Sequence, residues 1–240
     1  MPDKIEFFAV GLTVFGAVFA ISSYFLLSNV PLTALGIGLT VLGLTILITP
    51  LHPIPMDTVQ AFVRSSCENL EVMFEATGAF MKATYFSSNG KVYAYVPVTS
   101  EQKITMEDVV KDVGNFVVKG GRSLGLIITP PASELFNSIS FEGAGFDAIL
   151  SEVLVEASEA VESVKVVESD STIVIEFFRP RVEVNFSRFK SVMGSLPSSI
   201  AAQAAALKFS KPIQVLEERF EGNRIISRLR VLEWTSTPYT

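Results

Sequence analysis

The sequence predicts an α+β protein in which an N-terminal transmembrane helical hairpin precedes a mainly antiparallel sheet domain built from helix–hairpin units. Three observations predict this. Two stretches carry no charge, 21 residues from Phe7 to Leu27 and 20 from Leu32 to Leu51. At about 1.5 Å of rise per residue each can cross a hydrocarbon core of roughly 30 Å. Beyond them, pairs of β-rich runs joined by short polar turns recur four times, each pair preceded by helical sequence.

The apolar excess behind a hydrophobic fraction of 49% lies at the front of the chain. A cleaved signal peptide is the competing reading of the first stretch. Its leader is near neutral, because Asp3 and Glu6 offset Lys4, and Val18-Phe19-Ala20 is a poor cleavage site inside an apolar run that continues. Residues 7–27 and 32–51 are therefore expected to be retained bilayer spans. The link Ser28-Asn29-Val30-Pro31 is so short that the helices must run antiparallel, which puts the N-terminus and the large domain on one side. Gly11, Gly16, Gly36 and Gly43 offer places for the two backbones to approach. The link has no Lys or Arg, whereas Lys4 and Arg64 flank the other side, so the domain is expected to face the cytoplasm from a cell membrane crossed twice. The single cysteine, Cys67, fits a reducing compartment.

The expected organisation is a membrane hairpin over 1–51, a Pro-rich spacer over 52–56, and a soluble domain over 57–240. Pro50, Pro53 and Pro55 stiffen the spacer. Asp57 reads as the N-cap of an amphipathic helix carrying Phe62, Val63, Leu70, Met73 and Phe74. Ala79–Phe86 and Lys91–Val98 form the first hairpin around Ser87-Ser88-Asn89-Gly90. A short helix starts at Thr105, and a second hairpin turns at Gly120-Gly121. Ala132–Ile139 reads as a brief helix and 146–163 as a longer one, before a hairpin turning at Ser169-Asp170-Ser171. Ser187–Met193 and Ser198–Lys208 read as helices, the latter capped by Ser198, and a hairpin at Glu221-Gly222-Asn223 closes the series. This order implies helices packed on one face of the sheet. Duplication is an open suggestion, since the units share no clear identity.

The chemistry is read mostly by exclusion. His52 is the only histidine, which removes paired-histidine zinc sites and histidine-based nucleophile systems from the domain. Beyond the hairpin the chain carries 18 basic and 23 acidic side chains, which argues against a nucleic-acid partner. Gly143-Ala144-Gly145-Phe146-Asp147-Ala148 fits a dinucleotide pattern, with Glu168 at the right distance. Against it, Asp147 stands where a pyrophosphate would sit, and the following strand turns straight into a hairpin. Gly120 to Gly125 has the glycine spacing of a phosphate loop, but Leu126 replaces its lysine. Glu152, Glu156, Glu159 and Glu162 line one side of the long helix, as a solvated face or as hard-cation or acid–base groups. Arg179, Arg181, Arg188 and Lys190 form a basic cluster, either an ordinary loop or a contact for anionic lipid. Cys67 reads as a buried small hydrophobe. No catalytic, cofactor-binding or metal-ligating residue is assigned, and no cofactor is expected.

Gly121-Arg122-Ser123-Leu124-Gly125-Leu126, Pro130-Pro131 and the ending 204–233 resemble uncharacterised archaeal proteins that join a membrane hairpin to a domain of paired strands. Within that ending, Leu207, Pro212-Ile213, Val215, Glu217 and Gly222 also resemble 4-vinyl reductase-like ligand-binding domains, without the cysteines those carry near their final strands. The first resemblance implies a membrane-anchored protein of unknown function, and the second a small apolar ligand. The expected role is a non-catalytic interaction or sensing module with a protein partner or self-association. The alternatives are apolar-ligand binding and a carboxylate-dependent enzyme.

Overall fold

A computed structural model describes residues 4–26, 28–48, 56–99, 104–139, 141, 143–169, 171–182 and 185–234. The spacer prolines, His52, Asp170 and Glu183 lie outside the described residues. The chain divides into two compact units, 1–56 and 57–240.

The first unit is a helical hairpin of α1 (Lys4–Phe25) and α2 (Val30–Ile48). Each helix begins a little earlier than the charge-free stretches suggested. Val30 and Pro31, expected in the link, belong to α2. The Leu32 amide donates to Asn29 Oδ1 at 3.3 Å, which makes Asn29 the cap. Proline is tolerated in a first turn because its missing N–H would have no intrahelical partner there. The helices meet along small residues spaced by seven: Ala9, Gly16 and Ser23 on α1, Gly36 and Gly43 on α2. A Cβ at Gly16 or at Gly36 would stand 2.6 Å from a backbone nitrogen of the facing helix, and one at Gly43 2.7 Å. Only glycine permits this approach. Gly11 does not take part; nothing lies within 4 Å of its Cβ position. The Thr13 and Thr40 hydroxyls donate to Ala9 O and Gly36 O, at 2.8 and 2.9 Å, and are satisfied within their own helices. The large side chains point away from the seam, with Phe7 68%, Phe15 61%, Ile37 55% and Ile48 78% exposed.

The second unit follows the helix–hairpin order. Its elements are α3 (Met56–Thr77), β1 (Thr84–Ser88), β2 (Lys91–Pro97), α4 (Met106–Lys111), β3 (Val117–Gly120), β4 (Ser123–Ile128), a 3-10 turn (Ser133–Ser138), α5 (Phe146–Ser151), β5 (Ser163–Ser169), β6 (Thr172–Phe178), α6 (Ser187–Met193), α7 (Leu196–Phe209), β7 (Ile213–Glu221) and β8 (Arg224–Val231). Among the described residues the eight strands form one antiparallel sheet, ordered β3-β4-β2-β1-β7-β8-β6-β5. The α+β class is thus as the sequence predicts. The two halves do not repeat, because the first hairpin of the first half is central while that of the second half is peripheral.

Local chemistry explains the turns. Asn89 and Gly90 both take positive φ, 52° and 75°, which suits a two-residue turn matched to strand twist. Thr105 caps α4 by accepting from the Asp108 amide at 3.3 Å. Other expectations shift. α3 begins at Met56, so Asp57 lies inside the helix, and Phe62 is 73% exposed while Cys67 and Phe74 are buried. The helix expected over 146–163 is α-helical only to Ser151, then winds as a π-helix over Glu152–Ala157 and ends. α7 starts two residues before Ser198, with Ser195 at the cap and Pro197 in the first turn.

The helices do not all lie on one face. The main core gathers α3, α5, α7 and inward residues such as Tyr85, Ile175, Phe177 and Leu229. A smaller cluster forms on the other face of the first four strands, where Met106 and Val109 of α4 meet Phe86, Tyr95, Val118 and Ile127. α7 lies deep in the main core, with Ala201, Ala202, Ala204, Ala205 and Ala206 all at 0% exposure. Its small side chains let it lie close against the sheet.

Candidate functional site

One irregularity in the sheet determines where its charges go. β7 and β8 pair in register from Ile213↔Val231 to Val215↔Leu229, a bulge at Leu216 follows, and pairing resumes at Glu217↔Arg228. The extra residue shifts the alternation by one. Glu218 and Phe220 therefore follow Val215 onto the helix-covered face, while Glu217, Arg219 and Glu221 turn to the other.

Glu218 then meets the start of α7. The Ser195 amide donates to both carboxylate oxygens at 3.0 Å, and the Ser195 hydroxyl donates to Oε1 at 2.6 Å. A second carboxylate does the same for α6: Glu71 of α3 accepts from the Arg188 amide at 3.0 Å and from the Phe189 amide. Two helix N-termini are thus capped by acids from distant elements. Further along α7, the Tyr85 hydroxyl lies 2.8 Å from Met193 O and 2.7 Å from Ser199 Oγ. The carbonyl can only accept, so Tyr85 donates to it and Ser199 donates to Tyr85. Burial pushes the Tyr85 hydroxyl well above its ordinary pKa, so it is a neutral phenol. Gln203 Nε2 donates to Pro131 O at 2.9 Å, while its buried Oε1 has no partner among the described residues. This seam orients helices, and its one hydroxyl–carboxylate pair, Ser195 with Glu218, is engaged in capping α7.

The acidic stripe and the basic cluster expected from the sequence meet through two members of each. Glu159 and Glu162 lie beyond the helix end, and Glu159 adopts a φ of 48°. Glu162 pairs with Arg179 at 2.9 Å and Glu159 with Arg181 at 3.3 Å. Glu152 and Glu156 stay on the exposed side of the π segment. Lys190 bonds Asn185 Oδ1 at 2.9 Å and stacks over Phe220, 5.2 Å from the ring centre. Cys67 is buried, and that burial pushes its thiol up to about 11. No group of three or more His, Cys, Asp or Glu among the described residues is placed to hold a metal ion.

The glycine motifs are structural. A Cβ at Gly145, which precedes α5, would stand 2.5 Å from Asp147 Oδ1, so the helix's own carboxylate lies over its first turn. β5 and β6 are antiparallel neighbours, not parts of a parallel crossover. Gly125 underlies the Tyr95 ring, 2.3 Å from a would-be Cβ, and Leu126 is buried.

Two surfaces remain. One is an apolar depression of about 360 Å³ at the end of the sheet, lined by Leu70, Met73, Tyr93, Phe116, Ile127 and Ile128 among others. Phe116, 52% exposed, and Val117, 39%, lead from it onto the edge strand β3. The other is the outward face of β5–β6–β8–β7, which neither apolar cluster includes. The registers place Lys165, Arg219, Arg224, Arg228 and Arg230 there with Glu176, Glu217 and Glu221. Arg219 bonds Glu217 at 2.8 Å, and Arg224 lies 3.6 Å from Glu221. Sequence reading missed this face because it needs the sheet order and the bulge.

No curated protein and no solved structure matches the chain. Residues 4–228 match one family, and with nearly the whole chain covered the protein belongs to the domain of unknown function DUF7982.

Proposed function

We infer that the protein is a membrane-anchored, non-catalytic interaction module whose domain works on the cytoplasmic side. The packing of the hairpin supports the anchor. Its helices, Phe7–Phe25 and Val30–Ile48, present large apolar side chains outward and join through glycine, alanine and serine. A helix pair in the core of a water-soluble protein packs the other way round. Lys4 and Arg64 on one side, against an uncharged link, favour a cytoplasmic domain. Within the domain the single thiol is buried and protonated, and Glu159 and Glu162 are engaged by arginines. The apolar depression running onto the Phe116–Val117 edge suits contact with a protein partner or a second copy.

The test uses cysteine accessibility in a Cys67→Ser background. A cysteine at Asn29 is expected to react with an impermeant thiol reagent on intact cells, and one at Ser236 only after lysis. Equal protection of both positions, with the protein released by alkaline carbonate, sinks the anchor. The interaction role is tested by cross-linking in native membranes, where Phe116→Asp is expected to remove a specific adduct. Small-molecule binding is the second reading, favoured by the size of the same depression. Native mass spectrometry that finds an apolar ligand displaced by Phe116→Trp, with no adduct in the cross-linking, replaces the first reading by the second.

A further inference from the structure

We propose that the outward face of β5–β6–β8–β7 docks onto anionic phospholipid headgroups and so sets the orientation of the domain at its membrane. The proposal rests on the membrane-anchored reading. Its own support is the charge distribution. Lys165, Arg219, Arg224, Arg228 and Arg230 stand against Glu176, Glu217 and Glu221 on this face, an excess of two positive charges. The domain as a whole carries 18 basic and 23 acidic side chains, a net −5. This face is therefore a positive end on an acidic domain. A negatively charged bilayer attracts that end and repels the rest, so orientation is selected even where affinity is modest. Affinity need not be high, because the hairpin already holds the domain at a large effective concentration near the surface.

The bulge at Leu216 decides which charges of β7 reach the face: Glu217, Arg219 and Glu221 turn outward, while Glu218 turns toward the start of α7. Val167, 56% exposed, and the half-buried Val174, Ile226 and Phe178 lie between the charges. They give the face an apolar component suited to the headgroup layer. The bridges among these residues are exposed, so headgroup phosphates can exchange with Glu217 and Glu221 as partners at little cost.

The experiment uses the full chain in vesicles, Cys67→Ser, with a donor dye on a cysteine at Val167 or, as control, at Glu156 on the helix layer. Energy transfer to acceptor-labelled lipid is compared in phosphatidylcholine alone and with phosphatidylglycerol added. Two net charges shift the docked population about thirtyfold. Transfer from position 167 is expected to rise in the anionic vesicles and that from 156 to fall, with both changes lost at high salt. Arg219→Gln, Arg224→Gln, Arg228→Gln and Arg230→Gln together are expected to abolish the response. Glu176→Gln, Glu217→Gln and Glu221→Gln together, which remove no cation, are expected to strengthen it. Equal transfer in both lipids, or a glutamate variant with no stronger response, overturns the proposal. Carbonate extraction of the same vesicles separates this from a failed anchor, which releases the protein whatever the lipid.

Discussion

In the hairpin the small residues lie inside and the large ones outside; in the domain the order is reversed. Gly16, Gly36 and Gly43 form the contact between α1 and α2, while Phe7 and Phe15 look outward. In the domain Phe74, Tyr85, Phe177 and Phe189 are at 0% exposure. On the proposed membrane anchor, the difference reflects two solvents. Water drives large apolar side chains together. Hydrocarbon does not distinguish a phenylalanine from a lipid tail, so helices associate only where their backbones approach closely. α7 stands between the two cases, an alanine-rich helix that uses small residues for a close fit inside a core formed by burial.

The comparison is broken most severely by Phe177→Ala, which empties a core position of 0% exposure and is expected to cost about 4 kcal/mol by chemical denaturation. Leu216→Ala, at a 38% exposed bulge position, is expected to leave the cooperative unfolding transition in place. In the hairpin, Gly36→Leu forces a side chain into facing backbone 2.6 Å away, at a cost of about 3 kcal/mol. Spin labels at Val10 and Leu44 are expected to show the helices moving toward an ordinary separation of about 8–10 Å. Val18→Leu, on the outward side, is expected to leave that distance unchanged.

The domain also has a pH limit. The Cys67 thiol ionises near 9.0 when exposed and near 11 when folded. Its burial contributes stability that is whole below pH 9 and lost as the pH rises to 11, about 2–3 kcal/mol at most. Cys67→Ala is expected to flatten denaturant midpoints over that interval. Glu218→Gln weakens the charge-assisted cap of α7 and is expected to cost about 2 kcal/mol by chemical denaturation. The smallest effect is expected from Glu152→Gln with Glu156→Gln, within about 0.5 kcal/mol and without loss of cellular function. Loss of function from either single change, with the fold intact, makes that acid a catalytic candidate.

What the sequence showed and what it hid divide along range. The four hairpins were legible because turn residues act locally, as Asn89-Gly90 does. The capping of α4 by Thr105 and the α6 bounds Ser187–Met193 were legible for the same reason. The expected stripe from Glu152 to Glu162 failed because it assumed a straight helix, whereas the chain widens into a π-helix after Ser151 and turns at Glu159. The caps on α6 and α7 depend on carboxylates 117 and 23 residues from their donors, and no local pattern points to them. The strand order and the Leu216 bulge are equally non-local, so the charged face could not be assembled from the sequence. A local signal did mark the start of α7: Ser195 two residues before Pro197 is a cap followed by a first-turn proline.

The turn between α1 and α2 bears on how the protein is made. Each helix satisfies its own backbone, as a bilayer span must, and the cap on α2 comes from Asn29 in the turn itself. Beyond the helices, residues 26–29 carry no charge, and Ser28 and Asn29 are their polar side chains. On the proposed topology, these are what must be carried through the bilayer. The helices can enter together as a closed pair, and all that is synthesised afterwards stays on the side of the ribosome. Biogenesis then requires insertion alone, with no export of a folded or unfolded domain.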